Sequence, residues 1–267
     1  MYIIFIFILG LIVGSFLNVV IYRLKNGGNI FISRSKCPHC KKKLKALDML
    51  PVLSFVFYKG RCRYCKKEIS WQYPIVELGT AIIFITTFIN LAQLKINLPE
   101  LPSLGDIIFF ILLIFVLSSL LVIFVYDLKY YLIPDVVLFP SMIFVASILV
   151  LAAIISKNLF IVDNIIGALI FSGFFFVQYF ISKGRWVGGG DIKLGFLLGL
   201  VLGWQLALVC LFLAYIIGAS VALSLILLKQ KTRKDIMPFG PFLIASFVFC
   251  LFYGPLVLNW YLNFVTR

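Results

Sequence analysis

Asp191 closes the run Gly188-Gly189-Gly190-Asp191 where a long apolar segment begins, and Asp127 closes another apolar segment. An ionised Asp at the centre of a bilayer helix costs about 2.5 to 3.5 kcal/mol on insertion scales, so a carboxylate kept beside hydrocarbon needs a purpose. Two such carboxylates brought together cannot both ionise cheaply. Repulsion and desolvation leave one as an acid and the other as a base. That pair can activate a water from one side and protonate a departing group from the other, the chemistry of an aspartic protease. The proton belongs to the pair rather than to either residue. Asp135, just after Pro134, is a rival partner whose plainer role is to cap a helix, and Asp191 can be read as a cap too. Lys129 and Lys193 follow the two aspartates by two positions, which face differently on a helix, so these lysines are expected to reach for headgroups.

The other chemistry-bearing set is Cys37-Pro38-His39-Cys40 and Cys62-Arg63-Tyr64-Cys65, separated by 21 residues. Each C-x2-C knuckle turns two thiolates toward one point, and a structural zinc site needs four ligands. Cys37, Cys40, Cys62 and Cys65 are therefore expected to hold Zn2+. Two disulfides are the alternative, but the basic surroundings point to the cytoplasm, where thiols stay reduced. His39 is the only histidine and can replace a Cys ligand, its plainer reading being an exposed bystander. Cys210 and Cys250 lie in apolar segments and read as small hydrophobes.

The elements that must position these groups follow from composition. With 63% hydrophobic residues, 13% charged residues and a mean hydropathy of +1.12, the 267-residue chain is too apolar for a water-soluble domain. The expected fold is an all-α polytopic membrane protein with about eight spans. The first is 1–22; its charges Arg23 and Lys25 follow the apolar run, the reverse of a cleaved signal peptide, so it is expected to be uncleaved with its N-terminus outside. The others lie near 74–94, 105–126, 132–155, 160–182, 191–203, 205–228 and 239–262. The domains expected are the first span (1–22), a cytoplasmic zinc-binding domain (23–73) and a transmembrane peptidase domain (74–267).

Alternation of the spans places 21 of the 24 Lys and Arg residues inside and only Lys95, Lys157 and Arg267 outside. The net charge of +14 is then explained by the positive-inside rule, and nucleic acid is not expected as a partner. The apolar stretch Leu44–Tyr58, broken by Pro51, is expected to lie on the membrane surface, with anionic lipid as the partner of the basic segment. Asn18, inside the first span, is expected to make a packing hydrogen bond. Gly195, Gly199 and Gly203 recur every four residues after Asp191, a small-residue seam for a tightly packed helix. No internal repeat is evident.

Several separate stretches give the chain a close resemblance to the bacterial prepilin peptidases, or type IV leader peptidases. They are Gly14-Ser15-Phe16-Leu17-Asn18-Val19-Val20 with Tyr22-Arg23-Leu24, Pro51-Val52-Leu53-Ser54, Gly60-Arg61-Cys62-Arg63-Tyr64-Cys65 and Tyr73-Pro74-Ile75-Val76-Glu77. To these are added the first knuckle, the D-x6-P-D segment Asp127–Asp135, the GxGD motif Gly188–Asp191 and Phe239-Gly240-Pro241-Phe242. A lone GxGD is weak; this ordered set is specific and covers nearly the whole chain. The resemblance implies a multi-pass protein of the bacterial inner membrane. It further implies removal of the basic leader of prepilins or pilin-like proteins after Gly at the cytoplasmic face, with Asp127 and Asp191 catalytic. It implies methylation of the new N-terminal residue by S-adenosylmethionine in members that carry the cysteines.

For the methyl donor no glycine-rich nucleotide turn is visible. Gly60, Arg61, Glu68 and Glu77 are the expected cofactor contacts, with a lipid contact (Arg61) and a membrane-edge salt bridge (Glu77) as plainer roles. Gly188, Gly190 and Gly195 are expected to line the cleft, with the substrate helix lying on the glycine seam. A basic leader needs acids to receive it, and Asp48, Glu68, Glu77, Asp135 and Asp235 are the candidates. Two other classes use the same residues: an ion or proton transporter lined by the aspartates, and a zinc-dependent membrane-tethered binding protein.

Overall fold

The computed structural model describes residues 2–27, 35–91, 103–156, 160–232 and 235–265. Lys95, Lys157 and Arg267, expected outside, fall beyond the described residues, as do 92–94 of the expected second span. Among the described residues the fold is helical: α1 (Tyr2–Asn26), a 3-10 turn (Ala46–Met49), α2 (Leu53–Phe57), α3 (Gln72–Ile89), α4 (Ser103–Tyr130), α5 (Asp135–Ser156), α6 (Phe160–Ser182), α7 (Gly189–Leu227) and α8 (Gly240–Val265). All but α2 and the 3-10 turn are long and apolar enough to cross a membrane, seven in number.

The seven become eight pieces at Gly203, whose φ of 73° and ψ of 172° interrupt α7. The expected spans 191–203 and 205–228 are the two sides of this break. A non-helical residue leaves neighbouring backbone groups without their helical partners, and where these are buried they must be satisfied inside the protein. The Leu200 carbonyl, which a continuous helix would bond to the amide at 204, instead accepts from Asn164 Nδ2 at 2.8 Å.

The chain forms two compact units, Met1–Leu91 with Ile108–Val122, and Ala92–Ile107 with Ile123–Arg267. In the first, α1 and α3 run antiparallel, since Gly10 faces Ala81 while Gly14 faces Glu77 and Thr80. A Cβ at Gly10 would come within 2.5 Å of Ala81 Cα, so the spacing Gly10-x3-Gly14 is what allows the backbones to meet. Asn18 behaves as expected: its amide donates to the carbonyls of Gly14 (3.3 Å) and Tyr73 (3.1 Å) and accepts from Gln72 Nε2 at 3.1 Å.

In the second unit the glycine seam of α7 is filled by the protein itself. Gly199 meets the backbone of Gly167 and Ala168 on α6, and Gly195 lies under the rings of Phe171 and Phe175. The expectation that a substrate helix occupies this seam, with Gly195 in its cleft, gives way to packing within the unit. A Cβ on Gly199 would overlap the Gly167 carbonyl, a backbone group that cannot swing aside. Gly199→Ala is expected to destabilise the α6–α7 pair by about 1–3 kcal/mol, the usual cost of overpacking. Denaturation of the purified protein in mixed micelles checks this, with Gly189→Ala as the neutral comparison because nothing lies within 4 Å of its Cβ position.

Candidate functional site

Asp127 sits in the last turn of α4 and Asp191 in the first turn of α7, with only 5% and 8% of their surfaces exposed. A glycine amide at a helix start holds each. The Gly188 amide donates to Asp191 Oδ2 at 3.1 Å, while the Asp191 amide donates back to the Gly188 carbonyl at 3.1 Å. The Gly240 amide, at the start of α8, donates to the Asp127 carboxylate. First-turn amides and the helix dipole both favour a negative charge there. The cap reading of Asp191 therefore describes how the carboxylate is anchored, and it is compatible with chemistry at the same group. The two acids are close enough for the charge of Asp127 to act on Asp191, which also acts on Tyr215.

Asp135, the rival, is committed elsewhere. It opens α5 as its first residue, and the helix start is closed by the Pro134 carbonyl, which accepts from Val137 and Leu138. Its carboxylate takes Lys193 Nζ at 2.9 and 2.8 Å, and the same ammonium lies 5.2 Å from the centre of the Phe139 ring. The expectation that Lys193 reaches for headgroups is thus corrected. An ion pair between helices distant in sequence is not visible from local spacing.

Gly240 and Tyr215 are site neighbours that sequence reasoning left without a role. A polar loop, then Gly240-Pro241 at the head of an apolar run, is a helix-start signal, and a helix start is where a carboxylate is welcome. Tyr215 is hydrogen-bonded to Gln178 Nε2 at 2.8 Å, and its ring centre lies 5.0 Å from that of Phe239, the residue before Gly240. Gly190 lies against Ile133, and Gly188 contributes its amide to Asp191.

In the first unit the four sulfurs of Cys37, Cys40, Cys62 and Cys65 all lie within 4.8 Å of one another, a group that can hold a metal ion. All six cysteines are free thiols, and His39 is exposed outside the cluster. The two knuckles are copies in backbone terms. In each, the first Cys amide donates to the carbonyl five residues on (Lys42, Lys67), and the amide four residues on (Lys41, Lys66) donates back to the Cys carbonyl. Lys41 and Lys66 have φ of 56° and 59°, and the bridges Lys36–Lys43 and Arg61–Glu68 close the two turns. The sequence shows no plain repeat because only the cysteines and a lysine pair recur.

The two buried sulfurs differ in how readily they ionise. Burial pushes the Cys62 thiol up, but the Cys65 and Tyr64 amides aimed at it prevail and bring it down to about 7. Burial of Cys37 prevails over its own two amides, from Cys40 and His39, and pushes that thiol up to about 11. A cation is what lets both ionise together.

The four residues expected at the methyl donor do not converge as one set. Arg61 and Glu68 pair with each other at 3.7 Å on the exposed surface. Glu77 is buried against α1 and accepts the Val52 amide at 2.7 Å. That contact fixes a strained turn, since Val52 is β-branched yet has φ 59° and ψ −47°. Gly60, with φ 69°, packs under the Phe55 ring. The acids expected to receive a basic leader are likewise engaged. Besides Glu68, Glu77 and Asp135, Asp235 accepts the Thr232 amide, and Asp48 accepts Tyr64 Oη and the Lys45 amide, each at 3.0 Å.

The sequence profile of the bacterial peptidase A24 N-terminal domain matches residues 8–91, and that of the type IV leader peptidase family matches residues 114–223. A protein of Aeromonas hydrophila named prepilin leader peptidase/N-methyltransferase is 31% identical over 282 residues, covering 97% of this chain and 93% of that protein. This chain belongs to the type IV leader peptidase family. Proteins of the same name from Bacillus subtilis (strain 168) and Legionella pneumophila are 33% and 29% identical, covering 96% and 95% of this chain and 96% and 92% of their own lengths. No solved structure matches the chain. The tetracysteine group falls in the first of the two regions matched to the family, and Asp127 and Asp191 both fall in the second.

Proposed function

We propose that this leader peptidase removes the leader of prepilins or pilin-like proteins with Asp127 and Asp191 as its catalytic pair, and then methylates the new N-terminal residue. The reading rests on one observation above all: two buried carboxylates, each tied to a glycine amide at a helix start, lie within electrostatic reach of each other. The scissile carbonyl, that of the leader's last Gly, sits between them. The ionised partner takes a proton from a water whose oxygen attacks the carbonyl carbon, and the protonated partner supports the developing oxygen charge. The C–N bond breaks as the amine leaves with a proton, giving a leader carboxylate and a free N-terminus. No covalent intermediate forms. The positive-inside count supports the cytoplasmic face for this chemistry, with the N-terminus outside.

Cys37, Cys40, Cys62 and Cys65 hold Zn2+ in a structural tetrahedral site in this proposal, fitted by four converging sulfurs and backbone amides aimed at Cys37 and Cys62. S-adenosylmethionine supplies the methyl group from a cationic sulfonium. Arg61 pairs with Glu68 and Glu77 holds the Val52 amide, contacts that lend no support to Gly60, Arg61, Glu68 and Glu77 as one donor site.

Incubating the purified protein in lipid with a prepilin and methyl-labelled donor, and reading leader removal and label transfer together, tests the proposal. Neither product from an intact, metal-loaded sample sinks it. A finer test is Gly240→Ala, whose Cβ would lie 2.6 Å from Asp127 Oδ2 and must displace it. Misplacement of a reacting group by about 1 Å can cost about a hundredfold, so cleavage is expected to fall by roughly that factor with label transfer to a precleaved pilin kept. Unchanged cleavage contradicts the role given to Asp127.

A further inference from the structure

The second knuckle borders a recess of about 450 Å³ lined by Phe57, Tyr58, Lys59, Arg61, Cys62, Arg63 and Lys66. Its Lys and Arg side chains are all cations, and Cys62 belongs to the four-sulfur group. Arg61 and Arg63 have acidic partners, Glu68 and Asp48, each at 3.7 Å; among the described residues Lys59 and Lys66 have none. Such a recess repels a sulfonium and suits an anionic group.

The surroundings identify the source of that anion. The segment between α1 and α3 leaves one end of an antiparallel pair of spans, so it lies at a bilayer boundary. Trp71, directly before α3, is 70% exposed, and interfacial Trp side chains sit at headgroup depth. The Phe55 ring of α2 lies 4.9 Å from the Trp71 ring, which fixes α2 at that level. The outward face of α2 is Leu53, Val56 and Phe57, three apolar side chains in i, i+3, i+4 register, with Phe57 77% exposed. An apolar face beside a cationic recess at headgroup depth is what a lipid with an anionic headgroup complements, its acyl chains against α2 and its phosphate among the cations.

We propose that this recess binds the phosphate headgroup of an anionic phospholipid, with Lys59 and Lys66 as its uncompensated cations. Occupancy neutralises part of a strongly basic surface and so lowers the repulsion a basic leader meets there. The inference rests on the membrane placement proposed above, and on neither enzymatic activity.

The test is native mass spectrometry of the full-length protein released from bilayers of equal phosphatidylglycerol and phosphatidylcholine. Phosphatidylglycerol is expected to be retained roughly tenfold over phosphatidylcholine, from the surface attraction each lysine contributes. Lys59→Gln with Lys66→Gln is expected to abolish the preference, and Lys59→Arg with Lys66→Arg to keep it. Equal metal content in all samples establishes that the module is folded. Equal retention of the two lipids, or a preference undiminished in the Gln variant, overturns the proposal. Displacement of the lipid by millimolar inorganic phosphate also overturns it, in favour of a site for the free ion. Prepilin cleavage is read on the same samples. Cleavage without lipid preference sinks this inference alone, and lipid preference without cleavage leaves it standing while removing the proposed activity.

Discussion

Asp191→Asn is expected to yield a folded membrane protein whose prepilin cleavage is lowered by roughly a thousandfold, within the range general acid–base groups contribute. The substitution separates the two roles of this side chain. An Asn carbonyl oxygen still accepts the Gly188 amide, which Asp191 Oδ2 takes at 3.1 Å, so the start of α7 keeps its anchor. What disappears is the ability to hold or release a proton. The same holds for Asp127→Asn, whose side chain can still accept the Gly240 amide. Because a water needs both partners, the double variant is expected to be no slower than either single one. Cleavage retained in either single variant would mean that these residues are helix anchors and nothing more. A steady-state assay with purified variants, matched for melting midpoint, decides between the two.

Cys62→Ser is expected to release the metal and to lower methyl transfer by tenfold or more, with a much smaller change in cleavage. Ser cannot supply a thiolate, and Cys62 is one of two buried members of a group whose sulfurs all lie within 4.8 Å. Removing one of four ligands removes much of the metal's hold on the fold, because binding and folding are coupled in small cysteine modules. The effect is expected to stay local because the cysteines and the aspartates belong to different compact units, each with its own internal packing. Metal content, cleavage and label transfer measured on one preparation check this. Equal loss of both activities would show the module to be needed by the whole protein. Chelation of the unsubstituted protein is expected to reproduce the same split.

The parts of this architecture legible in the sequence were those written in local chemistry. Apolar segments of membrane length, two C-x2-C knuckles and two carboxylates at segment ends are each visible within a few residues. The small-residue spacing of Gly195, Gly199 and Gly203 correctly announced a close helix approach, but spacing does not name the partner. The partner is α6 through Gly167, Phe171 and Phe175, where a substrate helix had been expected. The break at Gly203 was visible only as an oddly short span, because a positive φ leaves no mark on hydropathy. Lys193–Asp135 and Glu77–Val52 join residues 58 and 25 positions apart, and no local pattern encodes such pairs. The duplicated knuckle escaped for the opposite reason: its repeat lies in backbone hydrogen bonds and positive φ values, which few side chains need to specify.

Cross-linking between positions 127 and 191 tests most directly whether the two acids converge on one water. The protein to use is the full chain with Cys210→Ala and Cys250→Ala, its cysteine module loaded with metal, carrying Asp127→Cys and Asp191→Cys. The shortest bis-thiosulfonate reagents are expected to join the two positions within one chain in high yield. If each new thiol reacts with a monofunctional reagent but only long linkers, or none, bridge the pair, the two carboxylates do not share a water and the aspartic mechanism fails.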